Sequence, residues 1–442
     1  MQLPAKKEYS LLKGIKTEFF KNSMILFVGS FITQAVSVLL YPLFTRLYSP
    51  EQFGTFALFM SITNIVIVLS TGNYEQAILL PKEDKKAFSL IFLTLLISSL
   101  VSLLFLIFAV IFKNYIAENI IRDNYIKPFL ALIPVSVFLN SVYLVLVNLS
   151  NRNKHYSLIA RGNVNLGFSN NAGKLLFGFT GLNNIGLITG RLIGQFTSSL
   201  QLLIEIRKKM TIKNIFLNRF HFNEIADTGR FYGNFPRYRM PHSLLNIVSS
   251  SLPIFVLARY FSTYDAGQFS LAIGILLTPV QLITNSVSKV LNQKIVEHTT
   301  LNKKIFNQIL QQIKRLIPVF AVLFVLLYFV SDPVFIFLFG KKWQLAGTYF
   351  KVILPWIFLV LCATPFSFIP NIFSKQKKAM IIDIIYFILR SGSLATGIFY
   401  QNDILGIRLF VLSGVIILTY NFFWYLSFLR NFDRKISIEN PL

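Results

Sequence analysis

The chain has 442 residues, of which 54% are hydrophobic and only 14% charged, and its mean hydropathy is +0.60. Soluble globular proteins carry about 25% charged residues, so the composition excludes that class. A net charge of +25 would suit a nucleic-acid binder, but the placement of the charges argues against nucleic acid as a partner.

A membrane-spanning helix needs about 20 mostly apolar residues. Runs of that kind recur at 22–43, 53–80, 88–112 and 128–149, followed by more polar runs at 156–180 and 185–204. The second half keeps the same pace at 240–260, 267–290, 316–339, 346–373, 379–399 and 404–429. These runs predict an all-α membrane protein of about 12 transmembrane helices. Residues 1–21 are basic and lead into a long hydrophobic run without a small-residue cleavage site, which reads as the first span and not as a signal peptide. The single cysteine, Cys362, falls inside a predicted span, so no disulfide framework is expected.

Lys and Arg accumulate in cytoplasmic loops. With the N-terminus placed inside, 30 of the 43 Lys and Arg fall in inside segments and 7 in outside loops. Both termini are therefore expected in the cytoplasm. The longest loop, about Arg207–Arg239, is cytoplasmic and too short to hide a catalytic domain.

An internal repeat sets the domain organisation. Arg46–Leu58 aligns without gaps on Arg259–Leu271 at an offset of 213, sharing Arg, an aromatic followed by Ser, Gly, Phe and Leu. A second echo pairs Gly186 and Gly194 with Gly406 and Gly414 at an offset of 220. Six spans separate the copies, so both halves enter the membrane in the same direction. The expected arrangement is two parallel-repeat six-helix bundles, 1–206 and 236–442, joined by a cytoplasmic linker at 207–235. In transporters built this way the substrate path lies in a central cavity between the halves.

Polar groups inside spans are costly, about 2.5–3.5 kcal/mol for a charge at the bilayer centre on insertion scales. The fifth run breaks the apolar pattern from Arg161 to Lys174. At 100° per residue, Arg161, Asn165 and Ser169 share one side, and Asn163, Asn170 and Lys174 the other. The sixth run adds Arg191, Gln195 and Ser198 on one stripe. The rise per residue places Arg191 at about the depth of Lys174 and puts Arg161 nearer the cytoplasm. With Arg390 in the second half, these cations form a candidate anion-binding ladder, lined by Asn163, Asn165, Asn170 and Gln195. The alternative is that each cation snorkels to an interface or pairs with a carboxylate, which suits Lys351 and Arg408 near span ends. Glu75, the deepest acidic group, is expected either to pair with Arg161 or to act as a proton or cation site. Asp383 is expected near the interface.

Enzyme signatures are absent. His155, His221, His242 and His298 lack metal-ligand spacing, and there is no phosphate-binding glycine loop. No catalytic residue, metal or cofactor is expected, while proton or sodium coupling stays open.

Pro42–Gly54, Thr71–Lys82 and Arg230–Pro241, followed by Leu244–Asn246 and Ala266–Phe269, resemble polysaccharide-biosynthesis flippases. These O-antigen-type transporters belong to the multidrug, oligosaccharidyl-lipid and polysaccharide exporter superfamily. The resemblance implies movement of an undecaprenyl-diphosphate-linked oligosaccharide from the cytoplasmic to the periplasmic leaflet of the bacterial inner membrane. It also implies a cationic cavity, a role carried onto Arg161, Lys174, Arg191 and Arg390. Membrane lipids, a polysaccharide polymerase and a chain-length regulator are implied as partners, and the monomer as the working unit. A multidrug antiporter of the same superfamily, a polysaccharide polymerase and a membrane scaffold remain as rivals.

Overall fold

In the computed structural model the described residues are Met24, 28–209 and 222–439. The basic tail, residues 210–221 with His221, and the last three residues lie outside them. Among the described residues the secondary structure is entirely helical. Among the described residues nine helices are long and apolar enough to cross a membrane, and ten if the bent pair Val28–Leu39 and Tyr41–Leu47, which turns by 42°, counts as one span. The helices Tyr156–Phe179 and Asn183–Lys209 have 24 and 27 residues but are too polar to join that set. At 1.5 Å per residue each is longer than the roughly 30 Å hydrocarbon core.

Several helices overrun their predicted spans. The run expected at 267–290 is part of a helix from Thr263 to Thr300, and the run expected at 404–429 is part of one from Asp403 to Glu439. The extension is amphipathic: Leu291 and Ile295 turn inward and pack with Ile305, Ile309, Phe366 and Leu429. The neighbouring helix starts where the Asp433 carboxylate accepts from the backbone N–H groups of Ile305 and Phe306 at 2.9 Å. That carboxylate satisfies donors that a helix start otherwise leaves open.

The chain forms two compact units. The first takes residues up to 40, Ile62–Lys113 and Pro128–Pro241; the second takes Tyr41–Ser61, Asn114–Lys127 and His242–Leu442. We label the elements used below as α1 (Val28–Leu39), α2 (Pro50–Thr71), α3 (Tyr74–Ala77), α4 (Asp84–Tyr115), α5 (Ile133–Arg152), α6 (Tyr156–Phe179) and α7 (Asn183–Lys209). They continue with α8 (Phe222–Phe231), α9 (Met240–Val256), α10 (Thr263–Thr300), α11 (Gln344–Ala363), α12 (Gln376–Phe399) and α13 (Asp403–Glu439).

In the first unit α6 and α7 form a tight antiparallel hairpin. A Cβ on Gly190 would lie 2.8 Å from the Asn170 carbonyl oxygen, and one on Gly194 would lie 2.6 Å from that of Leu166. In a membrane, where lipid is as apolar as Leu, such close backbone approach is what holds helices together. Ser198 donates to the Gly162 carbonyl at 2.7 Å across the same seam.

The second unit brings the two copies of the repeat into contact. A Cβ on Gly54 would lie 2.0 Å from the Thr263 carbonyl oxygen, and one on Gly267 would lie 1.8 Å from that of Pro50. These contacts are related by the sequence offset itself: position 54 meets 263, and 267 meets 50. The reciprocity is that of an isologous contact, here made within one chain. Around it Trp343 is fully buried and donates to the Thr45 carbonyl at 3.1 Å, and Lys342 Nζ donates to that of Tyr48 at 2.9 Å.

Candidate functional site

The polar hairpin α6–α7 positions most of the predicted site. Gly190 sits against Lys174, since a Cβ at 190 would come within 2.7 Å of Lys174 Cγ. Lys174 and the next residue along, Arg191, therefore occupy one level of the hairpin, close enough to repel each other. Both side chains are half-buried. Arg191 Nε has no hydrogen-bond partner, and Arg191 makes no ion pair among the described residues. Two cations held together inside a polar helix pair form an arrangement that favours an anion.

Amide side chains run along the same hairpin. Asn163 accepts from the Tyr143 hydroxyl on α5, and the Thr33 hydroxyl on α1 donates to its carbonyl at 3.4 Å. Asn165 accepts from Ser169 at 2.8 Å along its own helix. Gln195 is buried, accepts from Ser136 at 3.0 Å and leaves its Nε2 without a partner. Asn170 Oδ1 is likewise buried and unpartnered. Sequence reasoning missed Tyr143, which lies within electrostatic reach of Arg191. Its signal was a lone phenol in the Leu- and Val-rich run of α5.

The other predicted residues separate from this group. Arg161 is 65% exposed and pairs with Glu205 at 3.3 Å, a carboxylate that Gln201 Nε2 also engages at 2.8 Å. The expected pairing of Arg161 with Glu75 is therefore not formed: α7 supplies a nearer acid one hairpin away. Glu75 lies on α3, 5% exposed, with Oε1 accepting from Gln76 at 3.5 Å and Oε2 unpartnered. The cation acting on it is Arg239. In the second unit Asp383 lies 3.0 Å from His242, and Lys351 is paired with Asp332.

Arg390 is 6% exposed and enclosed by aromatic rings. Its guanidinium carbon lies 3.8 Å from the Tyr386 ring centre, 4.5 Å from that of Phe410 and 5.1 Å from that of Trp356. It donates to the Tyr386 hydroxyl and, at 3.2 Å, to Ser249 on α9. A planar cation stacked this way ties α9, α11, α12 and α13 together. Arg390→Lys keeps the charge and loses the plane, so it should cost about 2 kcal/mol of stability. Thermal unfolding in detergent reads this directly, and an unchanged Tm would show that the rings do not hold the guanidinium.

A family model described as "Polysaccharide biosynthesis protein" matches residues 43–347. No protein of curated function matches the chain at a significant level. Among solved structures, the lipid II flippase MurJ in an inward closed conformation superposes with a TM-score of 0.72 at 16% identity, covering 94% of this chain and 91% of that one. An inward-facing MATE-family multidrug resistance transporter of the MOP superfamily superposes at 0.62 and 15% identity, covering 91% and 99%. A MOP superfamily transporter from Pyrococcus furiosus, described as having a binding pocket of reversed polarity, gives 0.60 at 16% identity, covering 93% and 96%. At these identities the likeness shows the fold alone, one shared with MOP superfamily transporters.

Proposed function

Since the chain belongs to the polysaccharide biosynthesis protein family, we propose that it flips an undecaprenyl-diphosphate-linked oligosaccharide across the bacterial inner membrane. The cargo is the repeat unit of an O-antigen or related surface polysaccharide, carried from the cytoplasmic to the periplasmic leaflet by alternating access. The observation that carries this reading is the Lys174–Arg191 pair on a polar, amide-bearing hairpin. A diphosphate cannot cross hydrocarbon, and fixed cations with amide donors replace its hydration. Several moderate contacts suit a cargo that must also be released. An inside-negative potential favours outward movement by about 2.3 kcal/mol per charge per 100 mV. The test is binding of a lipid-linked oligosaccharide to the purified protein, with competition by inorganic diphosphate. Saturable, diphosphate-sensitive binding is expected; retention of a cationic dye in its place would overturn it.

The second reading, multidrug antiport, is favoured by the MATE-type fold. A cationic interior disfavours it for cationic drugs, since like charges repel strongly in a low-dielectric site. The polymerase reading has no sequence or fold observation in its favour.

The proposal includes twelve spans in two six-helix halves, with both termini and the linker in the cytoplasm. It requires α6 and α7 to cross despite their polarity, each shielding the other from lipid. Reporter fusions after residues 220 and 435 should report inside, and fusions after 118 and 181 outside. An inside report at 181 would leave the hairpin uncrossed and break the layout.

If transport is coupled to protons or sodium, Glu75 is the group we assign to it, because its free Oε2 is buried in the first unit. Glu75→Gln should impair surface polysaccharide export while leaving the protein in the membrane. Normal export in that variant would remove Glu75 from any coupling role.

A further inference from the structure

The linker segment that resembles the family motif, Arg230–Pro241, carries a second cationic feature in the first unit. Helix α8 is pinned in place: the Tyr74 hydroxyl donates to the Gly229 carbonyl at 3.0 Å, and Lys85 meets Glu224 at 2.6 Å. Gly229 allows this seating, since a Cβ there would lie 2.8 Å from Leu93 Cδ2. Beyond α8 the chain turns and continues as a wider, π-helical turn, Phe235–Arg239.

Between Tyr74 and this segment lies a cleft of about 480 Å³. Its linker wall is made by Arg230, Gly233, Asn234 and Arg237, which the turn after α8 brings to one cleft. Gly233 lets the chain turn tightly here, since a Cβ on it would lie 3.0 Å from the Arg230 carbonyl oxygen. Arg230 has only a loose contact with Asp227 at 3.9 Å, with both side chains largely exposed, and Arg237 has no ion-pair partner among the described residues. The residues that follow each arginine, Phe231 and Tyr238, are 78% and 67% exposed. Exposed aromatics alongside these arginines, in a segment that leads into a membrane helix, mark a position at the headgroup boundary.

We propose that this cleft binds the phosphate headgroup of a membrane lipid. Arg230 and Arg237 grip the phosphate oxygens, with Asn234 and the Tyr74 wall completing the cleft. Phe231 and Tyr238 seat in the adjoining acyl boundary. The chemistry is that of a phosphodiester or diphosphate on an apolar tail, which fits two sources: a bulk anionic phospholipid, or a prenyl diphosphate held at the membrane surface. The site is separate from the Lys174–Arg191 pair and does not depend on what that pair carries.

Native mass spectrometry of the full chain, released from neutral detergent, tests this with three probes: phosphatidylglycerol, a prenyl diphosphate, and zwitterionic phosphatidylcholine. Wild-type protein should retain phosphatidylglycerol, prenyl diphosphate or both in preference to phosphatidylcholine. Each Arg→Gln change should weaken retention about tenfold, the value of one charge-assisted hydrogen bond. Arg237→Gln should exceed Arg230→Gln, because Asp227 already engages Arg230. Both positions are exposed, so the variants should keep the wild-type Tm. Retention of phosphatidylglycerol alone assigns the site to bulk phospholipid; its displacement by prenyl diphosphate assigns it to that lipid. Phosphatidylglycerol carries no diphosphate for the Lys174–Arg191 pair, so its retention is the readout that separates failure of this site from failure of the transport reading. Equal retention by wild type and a folded Arg230→Gln/Arg237→Gln double variant would overturn the proposal, as would retention of phosphatidylcholine to the same extent.

Discussion

Arg191→Glu should abolish most export, and do so more severely than Arg191→Ala. Two unit charges about 6 Å apart at an effective dielectric near 20 interact by about 3 kcal/mol. Removing Arg191 forfeits part of that attraction for the cargo, and Lys174 at the same level supplies the rest, so the Ala variant should lose about tenfold in affinity. Reversal acts twice. The new carboxylate repels the diphosphate, and it also lies beside Lys174, where it can pair with the ammonium and cancel the remaining charge. A loss of about a hundredfold or more is expected on this arithmetic. Arg191→Lys should retain much of the activity if the field matters, and little if a bidentate fork matters. The measurement is surface polysaccharide at matched protein abundance. Normal export by Arg191→Glu would take the cation out of the path.

Gly54→Ala and Gly267→Ala should each destabilise the second unit, and Val at either position should prevent its assembly. An added Cβ would sit 2.0 or 1.8 Å from a carbonyl oxygen of the other repeat copy. Backbone cannot rotate away as a side chain can, so the two helix starts must separate. Overpacking of this kind costs about 1–3 kcal/mol for the smallest change, and more for a β-branched side chain. The double Ala variant should be worse than either single one, because both contacts belong to the same crossing. Gly392, on α12, is the control: nothing lies within 4 Å of a Cβ there. Gly392→Ala should be neutral, or stabilising by up to about 1 kcal/mol from helix propensity. Thermal unfolding of the purified variants distinguishes these outcomes, and equal Tm values for Gly54→Ala and Gly392→Ala would show that the crossing is loose.

The same glycines show how far the sequence could be read. Matching Gly54 to Gly267 at an offset of 213 was enough to infer a repeat, because repeated positions leave a one-dimensional trace. What the glycines do was not legible, since that depends on Pro50 and Thr263 approaching across the fold. The α6–α7 hairpin stood out for a similar reason: a run of Asn, Arg and Lys breaks an apolar pattern whatever surrounds it, and helical rise alone set Lys174 level with Arg191. Choice of ion-pair partner is a tertiary matter, and there the reading failed. Arg161 pairs with Glu205 because α6 and α7 pack side by side, while Glu75 sits against the linker segment carrying Arg239. The aromatic enclosure of Arg390 was hidden for the same reason, as its rings come from positions 356, 386 and 410 on three helices. The helix runs past its apolar run where polar residues interleave with inward-facing Leu291 and Ile295, because average hydropathy falls while one helical face stays apolar.

The central claim is that a polar, cationic hairpin carries a diphosphate-linked lipid across the membrane. Its most direct test is transfer in proteoliposomes of a fluorescent lipid-linked oligosaccharide, scored by loss of signal to a membrane-impermeant quencher added outside. Wild-type protein should equilibrate the lipid between leaflets, and Arg191→Glu, reconstituted at equal density, should leave it on the side where it began. Equal transfer by the two proteins, or none by the wild type in the presence of a membrane potential and a proton gradient, would contradict the account.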